Sequence, residues 1–222
     1  MDDETGPIAT ALPGYLSDRY ASWKDGRFEQ NKAWYARLAA MGQHPRAMAI
    51  QCCDSRVNAM EMFGAEPGDL FIVRNVANLV PPYDPDHGHH GTSAAVEYAV
   101  NILQVAHIVV LGHSNCGGVH ACHDMCSGNA PQLEESSSFI GRWMDILRPG
   151  YLKVIDQVEG EAAQKSALEK EGVLTSLNNL MTFPFVAQAV KDGVLTLHGT
   201  WLDIGTGEMH VYDRETGFTP VA

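Results

Sequence analysis

Residues 47–56 read AMAIQCCDSR, residues 107–118 read HIVVLGHSNCGG, and these two stretches decide the fold. Each opens with a short apolar run that suits a buried β-strand, at 47–52 and at 107–111, and Gly112 ends the second run. Each then passes into a loop of polar side chains that includes cysteine. Because helical patterns separate such strands along the chain, the sequence predicts an α/β domain whose central β-sheet is mostly parallel.

The remaining patterns extend this plan in both directions. A loose leader at 1–12 and an N-terminal helical arm at 13–42, with a candidate break at Asp25-Gly26, precede the first strand. A closing hairpin of strands 194–202 and 208–212 gives the sheet an antiparallel edge. The other predicted elements are a helical turn at 58–64, a strand at 70–73, and flanking helices at 92–103, 117–126, 134–147, 159–181 and 184–193. Together they predict a single domain over residues 1–222.

Composition and charge exclude several classes of protein. Of 222 residues, 45% are hydrophobic, which is too many for a disordered chain. Fifteen basic and 27 acidic side chains give a net charge of -12, which argues against binding to nucleic acid or to a membrane through basic residues. No apolar run approaches the ~20 residues of a membrane-spanning helix. The N-terminal residues are acidic and contain no apolar stretch, so we expect no signal peptide and a cytoplasmic location.

The two strand-end loops carry the side chains of a metal site. Sites form at the carboxyl ends of strands in sheets of this kind, and there the sequence offers Cys52, Cys53, His113 and Cys116. Two cysteines and one histidine suit a tetrahedral zinc site whose fourth position stays open, as in catalytic zinc sites. The alternative is that the cysteines are small buried hydrophobic residues. Residue types alone do not distinguish Cys52 from Cys53 as the ligand.

Asp54 and Arg56 form the second informative pair. A neighbouring arginine keeps a carboxylate ionised, and an ionised carboxylate can orient the attacking oxygen of a metal-assisted hydrolysis or hydration. From the residues alone, a structural ion pair within a loop explains the same pattern.

Three segments together resemble the β-class of carbonic anhydrases: CCDSR at 52–56, FIVRNVANLV at 71–80 and GHSNCGG at 112–118. The family pattern is Cys-x-Asp-x-Arg followed by His-x-x-Cys. The similarity runs from about residue 27 to residue 214 and ends in a family-like stretch, PFVAQAVKDGVLTLHGTWLD. Two departures, Gln51 where small residues are usual and Asn115 inside the His-x-x-Cys loop, remove no ligand.

This resemblance implies a zinc enzyme, a carbonate dehydratase that reversibly converts carbon dioxide to bicarbonate and a proton. It assigns Cys52, His113 and Cys116 as the ligands of one Zn²⁺ per chain and leaves Cys53 at a variable position. It gives Asp54 the role of orienting the attacking oxygen, with Arg56 holding that carboxylate in place. It also implies a homo-oligomer, a dimer or a tetramer, whose subunits share their active sites.

The resemblance is to the plant-like kind of the family, which keeps an open zinc site. Gln43 lies where that kind has a glutamine whose amide N–H reaches the substrate oxygen, a role that the backbone N–H of Gly117 would assist. Ala49 stands where the bicarbonate-regulated kind has a tryptophan. The apolar pocket positions of the plant-like kind are occupied by Phe71, Val76 and Tyr98.

Two alternative functions stay open at this point. One is a hydrolase of carbonyl sulfide or carbon disulfide on the same scaffold, and the other is a non-catalytic zinc module with a closed fourth position. A further group of potential ligands matches no family position, and we interpret its members as solvated or structural side chains: His120, Cys122, His123 and Cys126.

Overall fold

A computed structural model describes residues 10–86 and 90–221 of the chain. The chain divides into two units, Met1–Gln43 and His44–Ala222, which are described separately below. The helical arm predicted at 13–42 falls within the first unit. The single domain over residues 1–222 stays a prediction.

The N-terminal unit is helical and is built around aromatic rings. Helix α1 (Gly14–Trp23) continues into a wider π-helical turn (Lys24–Phe28), and helix α2 (Lys32–Met41) follows. The predicted break at Asp25-Gly26 is wrong, because the backbone stays helical there and leaves the helical region only at Asn31. The rings of Trp23 and Phe28 contact each other, and both contact Tyr35 on the other side of Asn31.

The second unit contains one mixed β-sheet, as the sequence predicts. In the described part of the chain the spatial order of its strands is β2-β1-β3-β4-β5-β6. The first four of these are mutually parallel, β5 pairs antiparallel with β4, and β6 pairs antiparallel with β5. The strands are β1 (Ala47–Cys52), β2 (Leu70–Asn75), β3 (His107–His113), β4 (Thr196–Leu202), β5 (Met209–Asp213) and β6 (Gly217–Pro220).

Helices connect the parallel strands. Helix α4 continues into a π-helical turn at Tyr98–Ile102, and short 3₁₀ turns occur at Val76–Asn78, Pro131–Glu134 and Asp145–Leu147. No helix within the described residues is both long and apolar enough to cross a membrane. The α-helices are α3 (Ala59–Met62), α4 (Gly91–Glu97), α5 (Gly117–Cys126), α6 (Phe139–Met144), α7 (Arg148–Ile155), α8 (Glu161–Leu180) and α9 (Pro184–Lys191).

Strand β3 continues through Gly112, so the prediction that this glycine ends the strand is wrong. A Cβ atom on Gly112 would lie 2.6 Å from Cγ2 of Val173, and one on Gly199 of β4 would lie 2.9 Å from Cγ1 of the same valine. The two glycines therefore mark the place where α8 packs closely on the sheet. The longer strand brings His113 to its last position.

The single helix predicted at 134–147 is also wrong. The chain makes a 3₁₀ turn at Pro131–Glu134, and α6 begins only after Ser138, whose Oγ accepts the N–H of Gly141. Serine favours such N-cap positions over helix interiors, which explains the interruption. Helix α7, which the sequence patterns do not predict, begins with Pro149 in its first turn.

The main hydrophobic core lies between one face of the sheet and α8 and α9. It includes Met48 and Ile50 of β1, Ile108 and Val110 of β3, and Val173 of α8. A second cluster under the strand-end loops joins α5, α7 and α8 and reaches Cys52 and Cys116. The carboxyl ends of β1 and β3 therefore rest on packed side chains.

Candidate metal centre

The structure brings Cys52, His113 and Cys116 together at the carboxyl edge of the sheet. Cys52 ends β1, His113 ends the neighbouring parallel strand β3, and Cys116 is the N-cap residue of α5. Their ligand atoms all lie within 4.8 Å of one another. All three side chains are buried, with 5% of Cys52 and 1% of His113 and Cys116 exposed.

The loop between the last two of these residues has a backbone that suits its sequence. Asn115 has a φ of 54°, in the left-handed region that asparagine tolerates better than most residues. Ser114 ties the loop to β4, since its N–H donates to the carbonyl oxygen of Leu202 at 2.8 Å. Asn115, which departs from the family pattern, thus favours the turn that places Cys116 beside His113.

His113 presents one nitrogen lone pair to the two sulfurs. Its Nδ1 lies 2.9 Å from the carbonyl oxygen of Ser114, which can only accept a hydrogen bond, so Nδ1 carries the ring proton. Nε2 is then an acceptor, and it is buried with no hydrogen-bond partner among the residues that the structure describes. A metal-binding histidine has this arrangement, because its second nitrogen is held by a carbonyl or a carboxylate.

The two thiols form a strongly interacting pair, with their sulfurs 3.9 Å apart. The hydrogen bond with Cys116 lowers the pKa of the Cys52 thiol to about 4, although burial opposes this shift. The same contact, together with burial, raises the pKa of Cys116. The pair therefore loses its first proton readily and retains the second, which a bound cation would displace.

These residues fit a zinc ion. With Zn–S bonds of about 2.3 Å, a tetrahedral site holds its two sulfurs about 3.8 Å apart, close to the observed 3.9 Å. Two thiolates and one imidazole are ligands that zinc prefers, and the unpaired Nε2 of His113 is the third ligand atom. The cluster could thus hold Zn²⁺ without rearrangement of the strands.

Asp54 and Arg56 form a two-pronged ion pair next to this cluster. The Arg56 Nε and Nη2 donate to the two Asp54 oxygens at 2.9 and 2.7 Å, and Nη2 also donates to the carbonyl oxygen of Asn115 at 3.1 Å. These hydrogen bonds hold the pKa of the Asp54 carboxyl well below its usual range. The carboxylate is therefore ionised at any neutral pH.

The two adjacent cysteines have different environments. Cys52 belongs to the buried cluster, whereas Cys53 is exposed. Cys52 is the last residue of β1, and Cys53 is the first residue of the loop that follows it. Gln51, the other departure from the family pattern, is 1% exposed, and its Oε1 accepts the N–H of Ala59 at the start of α3.

Two residues that support the site were not singled out by sequence reasoning. Arg74 donates to three carbonyl oxygens of residues 52–57, those of Cys52 at 3.0 Å, Asp54 at 2.7 Å and Val57 at 2.8 Å. Arg74 lies inside the family-like stretch at 71–80, and this position was the one feature of the sequence that could have pointed to it. It holds the backbone that carries both Cys52 and Asp54.

The second such residue is Glu169 of α8, which is 4% exposed. Its Oε1 accepts the backbone N–H of Cys116 at 3.2 Å and lies 3.2 Å from Nε2 of His120, while Oε2 accepts from Nε1 of Trp201 at 3.3 Å. Burial raises the pKa of this carboxyl. No motif marks a lone glutamate within a long helix, so the sequence offers no signal for it.

The predicted pocket residues are only partly brought to the cluster. Gly117 follows Cys116, and Val76 packs against the start of α5, where a Cβ on Gly118 would lie 2.6 Å from Val76 Cγ1. Phe71 stacks on Tyr98 with ring centroids 5.8 Å apart.

Phe71 and Tyr98 lie far from the cluster of their own chain. Phe71 pairs with Met48, four residues before the Asn75–Cys52 pair, which corresponds to about 13 Å along the strand. Gln43 belongs to the N-terminal unit, and its position relative to the cluster stays a prediction.

Comparisons with known proteins agree with this geometry. The family model for carbonic anhydrase matches residues 47–209. "Beta carbonic anhydrase 3" of Arabidopsis thaliana is 33% identical over 207 residues, which cover 92% of this chain and 78% of that protein.

Solved structures show the same similarity. The β-carbonic anhydrase CcaA superposes with a TM-score of 0.83 at 32% identity, over 94% of this chain and 91% of that one. One of two tetrameric β-carbonic anhydrases of Sordaria macrospora superposes with a TM-score of 0.71 at 28% identity, over 94% of this chain and 98% of that one. These matches give no support to a hydrolase of carbonyl sulfide or carbon disulfide, or to a non-catalytic zinc module. The chain belongs to the β-class of the carbonic anhydrase family, whose activity is the reversible hydration of carbon dioxide to bicarbonate.

Proposed function

We propose that Cys52, His113 and Cys116 hold one Zn²⁺ per chain and that this centre hydrates carbon dioxide to bicarbonate and a proton. The observation that carries the proposal is the buried, unpaired Nε2 of His113 beside two sulfurs 3.9 Å apart. When bound, zinc lowers the pKa of water to about 7 and so supplies a nucleophile near neutral pH. The remaining steps depend on the side chains of this chain.

Asp54 orients the attacking oxygen. Its Oδ2 lies 4.0 Å from Nε2 of His113, and it is ionised because of its hydrogen bonds to Arg56. A carboxylate has about four lone-pair sites, so Asp54 can accept a further O–H while it stays bonded to Arg56. That hydrogen bond would turn an oxygen lone pair towards the carbon of the substrate.

Arg56 positions Asp54 rather than the substrate. Its third hydrogen bond, to the carbonyl oxygen of Asn115, fixes the guanidinium between the two strand-end loops. The backbone N–H of Gly117 lies in the first turn of α5, where N–H groups have no acceptor within the helix. We assign it, together with the Gln43 amide, to the substrate oxygen on which negative charge develops.

The apolar side of the substrate site needs two chains. Val76 is 40% exposed next to α5 and can contact carbon dioxide in its own chain. Phe71 and Tyr98, about 13 Å along the strand from the Cys52 end, would contact the substrate of a second copy. Tyr98 is 44% exposed, which leaves its ring available for that role. We therefore propose a homodimer or homotetramer with shared active sites.

We also propose the plant-like, open-site kind, acting in the cytoplasm. Ala49 is 1% exposed and is packed in a cluster with Val57, Ala59 and Leu111, a position without room for the tryptophan of the bicarbonate-regulated kind. All five cysteines are free thiols, which suits a reducing compartment. The net charge of -12 supports the absence of nucleic acid and of anionic membranes among the partners.

Stopped-flow measurement of carbon dioxide hydration, with zinc content from the same preparation, tests this function. We expect fast hydration, about one zinc per chain, and a rate that rises between pH 7 and pH 8.5, because deprotonation of water supplies the nucleophile. Zinc-loaded protein that hydrates no carbon dioxide at either pH would refute the proposal.

A further inference from the structure

A second group of potential metal ligands lies where helices α5 and α8 pack together. It consists of His123 and Asp124 near the end of α5 and Glu161 at the start of α8, and its ligand atoms all lie within 4.8 Å of one another. It contains no sulfur. Of His120, Cys122, His123 and Cys126, only His123 belongs to this group. His120 pairs with Glu169, and Cys122 donates to the carbonyl oxygen of Met144.

His123 directs an unpaired lone pair into this group. Its side chain is 4% exposed, and its Nε2 lies 3.1 Å from Oε1 of Gln164. The Gln164 Nε2 donates to the carbonyl oxygen of Val158 at 2.8 Å, which turns Oε1 towards the imidazole, so the His123 Nε2 carries the proton. Nδ1 is then an acceptor with no hydrogen-bond partner in the described part of the chain, and it lies 3.6 Å from Oδ1 of Asp124.

A buried acceptor without a partner destabilises the fold unless something occupies the position that it faces. Next to it, the Lys165 ammonium lies 2.8 Å from Oδ1 of Asp124 and 2.6 Å from Oε1 of Glu161. This positive charge satisfies the two carboxylates, whereas Nδ1 of His123 still has no hydrogen-bond partner among the described residues. Lysine sits on a flexible four-carbon stem and can leave the site without movement of the backbone.

We propose that His123, Asp124 and Glu161 form a second divalent-cation site, which binds Mn²⁺ or a similar transition-metal ion in exchange for the Lys165 ammonium. One imidazole nitrogen and two carboxylate oxygens are a donor set for this class of ion. Gln164 holds the other ring nitrogen, as partners of metal-binding histidines do. The site is separate from the Cys52 centre and does not depend on the proposed reaction.

The position of the site gives it a structural consequence. Its ligands come from both α5 and α8, and about two turns beyond Glu161 along α8, Glu169 accepts the N–H of Cys116. An ion bound at this junction would hold α5 against α8 and so raise the stability of the helix whose N-cap residue is Cys116.

Titration of the zinc-loaded protein with Mn²⁺, in excess Mg²⁺ to occupy scattered carboxylates, tests the proposal. Electron paramagnetic resonance follows the free ion. We expect one saturable site per chain in the native protein and affinity roughly three- to thirtyfold tighter in Lys165→Met, because two ion pairs no longer compete. Glu161→Gln and Asp124→Asn should each abolish saturable binding. The control Glu159→Gln, an exposed glutamate just before α8, should leave it unchanged.

Thermal unfolding gives a second readout that is independent of activity. Mn²⁺ should raise the Tm of Lys165→Met, and it should not raise that of the double variant Lys165→Met/Glu161→Gln. The proposal is overturned if folded, zinc-loaded Lys165→Met binds no Mn²⁺. It is equally overturned if the Asp124 and Glu161 variants bind Mn²⁺ as tightly as the native chain.

Discussion

Oδ2 of Asp54 lies 4.0 Å from Nε2 of His113, although both of the Asp54 oxygens are bonded to Arg56. The carboxylate that we propose as the orienting group and the imidazole that we propose as a metal ligand thus face the same small space. Arg56 keeps the carboxylate ionised and also restrains it from moving into the ligand set. This relationship separates the residues that should hold the metal from those that should act on the substrate.

Replacement of Asp54 by asparagine should therefore spare the metal and reduce catalysis. We expect zinc content to stay near one per chain while kcat falls roughly a hundredfold, because the amide cannot reproduce the orienting charge. Metal analysis and stopped-flow hydration on one preparation check both effects. Full activity in Asp54→Asn would remove this residue from the mechanism.

The adjacent cysteines should respond oppositely to the same change. Cys52→Ser removes a buried sulfur of the cluster and should abolish zinc binding and hydration together. Cys53→Ser alters an exposed side chain and is the matched control, which should retain both. If Cys53→Ser is the variant that loses the metal, the assignment of the ligand within the double cysteine is reversed.

Arg74 should act on the metal centre through the backbone alone. Arg74→Ala removes three hydrogen bonds to the backbone of residues 52–57, and we expect the free energy of unfolding to fall by about 1–3 kcal/mol. The rate of zinc release to a chelator should rise by about tenfold. Arg214→Ala, an exposed arginine in the turn between β5 and β6, serves as the control. Equal zinc release from the two variants would contradict the role given to Arg74.

Tyr98 tests whether two chains share a site. Because it is remote from the metal cluster of its own chain, Tyr98→Ala should lower kcat/KM only if a second copy brings the ring to the substrate. We expect a loss of roughly threefold to tenfold, typical of one apolar contact, in a protein that sediments as a dimer or tetramer. An unchanged kcat/KM in an intact oligomer would exclude Tyr98 from the pocket.

The sequence predicts the α/β fold because strand and helix periods alternate clearly, and it locates β1 to the residue. The prediction fails where a residue is chosen for its packing against a distant part of the chain. Gly112 suggests a strand end by its type, whereas its actual role is to admit Val173 of α8. Strand β6 has only four residues at the sheet edge, Gly217–Pro220, and its pairing with β5 leaves little periodicity to detect.

The site shows the same difference between residues in local motifs and residues that act through distant contacts. The ligand cluster follows from short motifs at strand ends, so a resemblance to a family locates it. Arg74 and Glu169 support the site through contacts with residues that are 17 to 53 positions away in the chain. The family-like stretch at 71–80 includes Arg74 but does not show which residues it contacts, and only the packed structure brings these pairs together.

Zinc K-edge X-ray absorption of the purified protein tests the central claim most directly, since it counts the sulfur neighbours of the metal. The account predicts two sulfurs at about 2.3 Å together with lighter nitrogen or oxygen ligands at about 2.0–2.1 Å. Three or more sulfurs, or none, would contradict a centre built from Cys52, His113 and Cys116.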